Sequence, residues 1–539
     1  MKSSPSFLLI TAISLAGIFC APSDVYGQRP IAGAEGQWPM ASGPNGTSVT
    51  KTEQAVPTEW SVSRDEKVLW RTELPEAGLS GIAVWGDKLF LTTNKPLPDN
   101  TKDGEAAGSD IVGYCLDAKS GEIVWSVTIP SARVRPFSSL FSDASTPTPV
   151  TDGKHVWFVN AGGMMACYDM DGQEVWKRPF DARSRHNAKQ CQPILIGKQL
   201  LYVMMRDKED PLARPMKARS GDRKSAPGDW PWTFVRSFDS LTGKPLWVEE
   251  SGTSIHNTPR IGNVDGKPVV YHMRGGGHRP PEAPYGFSVS SVEGEHAGAS
   301  LWAYDAKHPA VYTVSQLNDD YTFGIDQGNL LKFDIRNGGL LAKYPLFDKA
   351  DIRLWDANMQ KYELHQDKPF SVVTKKYKAE PTNHTPILVG KYFLFLTHEG
   401  HCIGRVDTES GKVEYLQAPI QVVRELGKDD LFLWDKHVPA RAENARGIDT
   451  SSDKRSLGNG WGHVTSGAPI AVNQYVYFPT MIGMTYVVDA TRPVFDTQAL
   501  VSVNDLGPAE MTWSLSGLSY ANGRFFHRGL KEIVCIGEE

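Results

Sequence analysis

One nine-residue pattern recurs along the chain and constrains its fold more than any other feature: Asp, two residues, Ser or Thr, Gly, three residues, aromatic. It reads Asp117-Ala-Lys-Ser120-Gly121-Glu-Ile-Val-Trp125, then Asp239-Ser-Leu-Thr242-Gly243-Lys-Pro-Leu-Trp247, then Asp407-Thr-Glu-Ser410-Gly411-Lys-Val-Glu-Tyr415. A copy one residue shorter runs Asp169-Met-Asp171-Gly172-Gln-Glu-Val-Trp176. Self-similarity of this kind marks a repeat architecture. Apolar residues precede each Asp and each aromatic, so each copy reads as strand, tight turn, strand. The turn needs Gly where φ is positive, and the Asp or Ser/Thr side chain can bond turn backbone groups. The aromatic starts the outgoing strand and packs beside its neighbour.

A second pattern lies upstream of each copy: Pro, an apolar run, Gly or Asn, another apolar run. It begins at Thr148-Pro149, Gln192-Pro193, Thr385-Pro386 and Ala468-Pro469. That is another hairpin, and two consecutive hairpins make a four-stranded antiparallel sheet, one propeller blade. With these motifs the chain resembles the PQQ-like β-propeller repeat family, which includes quinoprotein alcohol dehydrogenases and the propeller lipoprotein of the outer-membrane assembly machine. The opening Trp38-Pro39 to Gly43-Pro44-Asn45-Gly46 is similar to a branch of the same repeats. The resemblance covers residues 36 to 537 and speaks for fold more than for activity.

The outer strands number eight: five end in apolar-Trp at Trp70, Trp125, Trp176, Trp247 and Trp302, and three degenerate ones follow near Ala342, Tyr415 and Ser502. The expected fold is all-β, an eight-bladed propeller of four-stranded antiparallel blades. Seven blades is the alternative if the stretch around residues 286 to 345 is an insertion. The strand at Trp70 and the run ending at Ile536 complete one blade between them, which closes the ring and removes free sheet edges.

The expected domains are a signal peptide over 1–27, an N-terminal arm over 28–66 and the propeller over 67–539. The apolar run from Phe7 to Cys20 is too short to span a bilayer, and Val25 and Gly27 suit secretory cleavage after Gly27. Phe19 before Cys20 argues against lipoprotein anchoring, so the expectation is export, periplasmic or secreted. A formal charge of -5 gives no reason to expect nucleic acid or an acidic membrane surface as partner, and no later stretch is long enough to cross a membrane. Cys115, Cys167 and Cys535 share one strand register in different blades, too far apart to bridge, and read as small buried apolar residues. Four longer segments interrupt the rhythm: 28–66, 204–233, 346–378 and 417–463.

Propeller ligands usually sit at the central axis, on loops entering the inner strands. His186-Asn187, His256-Asn257, His384 and Trp461-Gly462-His463 fall there and are the candidate ligand-binding residues. Four histidines on one funnel would suit a metal, an anion or a polar ligand. Their unequal offsets from the following prolines favour the plainer role of satisfying backbone groups at strand entry. Gly275-Gly276-Gly277 is followed by two prolines rather than a helix, which argues against a phosphate cradle. What the resemblance implies for a quinoprotein is an adjacent cysteine pair over the quinone and Ca²⁺ ligands with an Asp base. This chain has no adjacent cysteines, no Cys-x-x-Cys-His, no Gly-x-Ser-x-Gly and no His-Glu-x-x-His. The favoured reading is a non-enzymatic binding or scaffold protein for a protein partner or small polar ligand, with no cofactor expected. The alternatives are a dehydrogenase using PQQ and Ca²⁺, or an enzyme with an axial metal.

Overall fold

A computed structural model describes residues 31–96, 110–132, 143–180, 191–205, 233–253, 258–274, 285–306, 320–375, 382, 385–441 and 467–538. Their strands form nine sheets, eight of them radial blades and the ninth a two-stranded hairpin. Blades 1 to 4 each run in order from inner to outer strand: Ala83–Trp85 to Ile123–Ile129, Val150–Thr151 to Glu174–Pro179, Ile194–Ile196 to Pro245–Val248, and Arg260–Val264 to Ser300–Asp305. Blade 5 shows three strands among the described residues, Tyr321–Asp326, Asn329–Asp334 and Leu340–Pro345. Blades 6 and 7 begin at Ile387–Val389 and Ile470–Val472 and end at Val413–Gln417 and Leu500–Asp505. Blade 8 takes Ser519–Ala521, Arg524–Arg528 and Glu532–Ile536 from the tail and its outer strand, Val68–Glu73, from the other end of the chain. The ring therefore has eight blades, not seven, and closes through both ends of the chain.

Antiparallel order within a blade fixes two faces. The inner-to-second turns and the Asp–Gly repeat turns lie on one, the turn face. The blade-to-blade connections leave from strand ends on the other, the loop face. Two described inner turns put two residues at positive φ, Asp265 (51°) with Gly266 (81°) and Asn522 (53°) with Gly523 (76°), the twist that matches a two-residue hairpin. Gly121, Gly172, Gly243 and Gly411 also have positive φ, between 66° and 82°. The turn Asp accepts backbone N–H groups: Asp117 Oδ1 takes Lys119 and Ser120, each at 2.8 Å. Burial raises the Asp407 carboxyl, but the Ser410 and Glu409 amides and Lys391 outweigh it and hold the group down at about 2.

The repeat aromatic does more than pack. Its ring lies on the turn glycine of the next blade, and its donor reaches the carbonyl just after that turn's Asp. Trp70 Nε1 donates to Ala118 O at 3.2 Å, Trp125 to Met170 O at 3.1 Å, Trp176 to Ser240 O at 2.8 Å and Trp302 to Ile335 O at 2.6 Å. Tyr344 Oη donates to Thr408 O at 2.6 Å in the same way. Between blades 3 and 4 a side chain relays: Trp247 Nε1 donates to Gln199 Oε1 and Gln199 Nε2 to Val292 O. Between blades 6 and 7 no aromatic serves. Arg405 Nη1 donates to Ala490 O at 3.1 Å, with its guanidinium over the Tyr392 and Phe495 rings and paired to Glu414.

Two of the longer segments become structure on the ring. Residues within 346–378 form a hairpin whose first strand, Ala350–Asp356, adds in parallel to the outer strand of blade 6 and covers its edge. The second, Gln421–Val423 with Leu431–Leu433, is a small hairpin nearby, and Trp434 stacks on Trp355 with centroids 4.8 Å apart. No described helix is long and apolar enough to cross a membrane.

Replacing Trp125 by Phe keeps a ring on Gly172 but removes the donor to Met170, and should lower unfolding free energy by about 1 kcal/mol. Trp125→Ala should cost about 3 kcal/mol. Gly172→Ala should also destabilise, because its φ is +82° and a Cβ would lie 2.9 Å from the Trp125 indole. Urea unfolding midpoints measure all three, and a Trp125→Ala protein as stable as the parent would separate the aromatic from ring integrity.

Candidate functional site

The arm does not stay outside the ring. Trp38 bridges to Val84 of the blade 1 inner strand, and Thr151 N of blade 2 donates to Pro39 O. Further on, Arg260 Nη1 of blade 4 donates to Ser48 Oγ at 3.1 Å, and Val49–Thr50 pair in parallel with Ala471 and Val472 of blade 7. Residues bound to inner strands on opposite sides of the ring must cross its axis. Met40, Ser42, Ser48 and Val49 are buried, and Trp38 is fully so. At the exit, Thr52 and Asn473 exchange two hydrogen bonds, on the turn face. Gly46 is required here, since a Cβ would press within 2.8 Å of Ile261 and its φ is +76°. Beyond the axis the arm fills the remaining junction. Trp60 sits between Tyr477 of blade 7 and Phe525 of blade 8, 6.3 and 5.8 Å between centroids.

The arm holds the channel from the turn face, and the other end of the axis, on the loop face, is bordered by the starts of the inner strands. Three residues preceding the inner-strand prolines help form its rim as a hydrogen-bonded belt. Gly81 N donates to Thr148 Oγ1 at 2.9 Å, Thr148 N to Gln192 Oε1 at 2.6 Å, and Gln192 N to Thr258 Oγ1 at 2.9 Å. Beside it, Arg528 Nη1 donates to Ser80 Oγ at 2.8 Å and to Thr92 O, while Ser514 and Ser516 hydroxyls donate to Arg528 O. Gly78 makes room for that guanidinium, whose Nη2 would stand 2.3 Å from a Cβ there. Burial pulls Arg528 down to about 10 against the upward pull of Asp143.

Arg260 is different. It is 4 % exposed, at the loop-face end of an inner strand, with Ser48 as the hydrogen-bond partner of its Nη1 and its Nε buried and unpaired. Burial alone pulls it down to about 10, so it stays charged at neutral pH, and no carboxylate among the described residues pairs with it. A buried guanidinium without a counter-charge is costly unless something supplies one.

His186, Asn187, His256, Asn257, His384, Trp461 and His463 lie outside the described residues, so their geometry is not part of this site. Their described neighbours Gln192 and Thr258 are on the rim belt. Asp117, Gly121, Trp125, Asp169, Gly172, Trp176, Asp239, Gly243, Trp247, Asp407 and Gly411 stand in the turns between third and outer strands or on the strands that flank them. Arg260, Arg528 and the axial course of the arm were missed. The Gly-Pro-Asn-Gly run at 43–46 was their only sequence signal.

The family model described as outer membrane protein assembly factor BamB matches residues 108–360. The chain is an eight-bladed propeller, and the stretch from blade 1 to the hairpin on blade 6 is what resembles that family. The quinohemoprotein alcohol dehydrogenase of Comamonas testosteroni aligns to this propeller with a TM-score of 0.51 at 10% identity, over 94% of this chain and 82% of that one. A europium-containing methanol dehydrogenase gives 0.49 at 12% identity over 93% and 89%, and BamB from Moraxella catarrhalis 0.45 at 9% over 87% and 99%. Such likeness speaks for fold alone. No curated protein matches the propeller.

The adjacent cysteine pair that the resemblance implies over a quinone is not in this sequence. Cys115, Cys167, Cys402 and Cys535 are separate, buried and free, and burial pushes the Cys115 and Cys535 thiols up to about 12. No three His, Cys, Asp or Glu among the described residues converge to hold a metal.

Thr148→Val should strand the partly buried Gly81 N–H and cost about 1 kcal/mol. Thermal unfolding and faster amide exchange at Gly81 check it; unchanged exchange there would deny the belt its part in holding the rim.

Proposed function

We propose that this propeller is an exported binding or scaffold protein that receives a protein partner or a small polar ligand at its axial mouth. The observation that carries the reading is the arm in the channel: it occupies the axis from the turn face, and Arg260 beneath the other is charged with no carboxylate partner among the described residues. Rigid blades hold the rim, so a ligand would meet preformed polar groups rather than order them itself, which favours affinity. Arg260 gives the mouth a preference for a negatively charged group, whether on a small molecule or on a partner's side chain. Export rests on the leader-like opening of the sequence. Membership of a propeller class whose members include dehydrogenases gives no chemistry to this mouth, because function follows the site and not the fold.

Calorimetric titration with succinate, inorganic phosphate and a short acidic peptide tests the reading. At least one should bind, and Arg260→Gln should weaken it by tenfold or more, about 1.4 kcal/mol. Equal affinity in the two proteins would remove Arg260 and the mouth from the account. Arg260→Lys, which keeps the charge but loses the fork, should fall between them.

A further inference from the structure

A sheet edge is a row of open N–H and C=O groups, and natural proteins cover it, shorten it or guard it with charge or proline. The outer strands are the edges that the ring turns to its surroundings, and those of blades 2 to 8 are all treated in one of these ways. Blade 6 is covered by the parallel strand Ala350–Asp356. Blade 7 is covered by the arm: Ser61 bridges in parallel to Asp505, and Asn504 Nδ2 donates to Thr58 O at 2.9 Å. Arg424 Nη2 adds a hydrogen bond to Val503 O at 3.0 Å. Blade 8 carries Arg71 and Glu73 on its outer strand, blade 2 Glu174, Lys177, Arg178 and Pro179, and blade 5 Lys343 and Pro345. Blade 3 has a four-residue outer strand that begins with Pro245. In blade 4, Glu250 Oε1 accepts Ser300 N at 2.9 Å, Arg274 Nη2 donates to Tyr304 O at 2.7 Å, and Asp305 ends the strand.

Blade 1 is the exception. Its outer strand, Ile123–Ile129, reads Ile-Val-Trp-Ser-Val-Thr-Ile, without a charge, a proline or a glycine. That composition favours strands and strand-to-strand association. On its inner side it pairs without a break from Trp125, opposite Cys115, to Ile129, opposite Ile111. On its outer side no described strand pairs with it. Ile123, Val124, Ser126 and Thr128 are exposed, Val124 to 56 %.

We propose that this edge is a self-association surface, on which two copies of the chain pair their Ile123–Ile129 strands antiparallel about a two-fold axis. Charge selects the occupant. A foreign strand is chosen by charges or pockets that match it and repel others, and this strand carries no charge. A two-fold contact asks the opposite, because residues near the axis meet their own copies and a charge there would face a like charge. Of the uncovered outer strands longer than four residues, this one alone carries none.

Shape and symmetry agree with that choice. Outer strands lie on the convex circumference of a closed ring, so blades 8 and 2 fall away on either side and two rings can meet strand to strand. The contact uses the same edge in both copies, so it closes at two and leaves no edge from which a fibre grows. It is also small. Seven residues span about 23 Å, and one pair of such edges belongs to the small interface class, below about 1,200 Å². The dimer is therefore reversible and micromolar rather than obligate. It lies on the circumference, away from the axis, and does not depend on what the axis binds.

Sedimentation velocity on the full chain, from low to high micromolar concentration, should show monomer passing into dimer and nothing larger. Ser126→Lys with Thr128→Lys should hold the protein monomeric, and so should Ser126→Glu with Thr128→Glu. Both side chains are exposed, so urea midpoints of the two variants should stay at that of the parent. An equimolar mixture of the two variants should dimerise at least tenfold more tightly than either alone, because lysine then faces glutamate. Hydrogen exchange at high concentration should slow the amides of Ile123–Ile129 and leave the outer strand of blade 2 unchanged. A parent that stays monomeric would leave the edge to a foreign strand and overturn the self-pairing. A parent dimer whose Ile123–Ile129 amides exchange as in the monomer, or a lysine variant that dimerises like the parent, would overturn it as well.

Discussion

The hydrogen bond from an outer-strand aromatic to the carbonyl behind the next blade's turn is the contact on which the ring depends. A four-stranded blade has two broad apolar faces, and packing alone lets neighbours slide. A donor aimed at one carbonyl, over a glycine that admits no side chain, fixes both the distance and the register between blades. An indole suits the place because it couples large apolar area to a single donor at its edge. The contact tolerates substitution only where chemistry is kept. Tyr344 supplies a hydroxyl, Gln199 relays for Trp247, and Arg405 replaces the aromatic with a guanidinium that Glu414 and two rings hold in place. Where the chain ends meet, blade 8 has no covalent repeat turn, and Trp60 from the arm fills the junction.

Closing eight blades leaves an axis that the inner strands do not fill by themselves. The arm supplies the missing material as main chain. Its parallel pairing with the blade 7 inner strand satisfies backbone groups that a bare inner edge would leave open, and its glycines let it turn inside the channel. Threading the arm from the turn face is what makes the two faces unequal. One face is compact hairpins. The other carries the blade-to-blade connections, with the buried Arg260 guanidinium at the strand ends beneath them.

The fold was legible in the sequence because its information is local. Asp117, Gly121 and Trp125 sit within nine residues of one another, and each encodes a turn whose chemistry can be read without its neighbours. The closure between Trp70 and Ile536 was legible too, because two half-blades stood unpaired at opposite ends. Arg405 was not, since its partner carbonyls at Ala490 and Arg492 are distant in sequence and its own strand lacks a Trp to flag the position. The path of residues 38–50 was not, because Trp-Pro and Gly-Pro-Asn-Gly announce turns without saying where the chain goes between them. Glu249 and His272 belong to different blades, and only packing brings them together. The loop histidines stood out because histidine is rare in turns of this kind, yet rarity marks a position without placing it.

Polar chemistry in this propeller is divided between the ends of its strands. Turn-face ends carry the repeat Asp, Gly and aromatic residues, whose groups are consumed by the scaffold. Loop-face ends carry Asn94, Arg260, Arg274, Asp326, Arg528 and, just past a strand, Glu249. Several of these are buried with hydrogen-bonding capacity left over. A buried group left incomplete costs stability, so a fold that needed only rigidity would place apolar residues there. The blades tolerate that cost because the aromatic staples secure the ring at the opposite ends of the same strands. Stability concentrated at one face is what allows the other to keep, at the axis, a buried guanidinium with no carboxylate partner among the described residues.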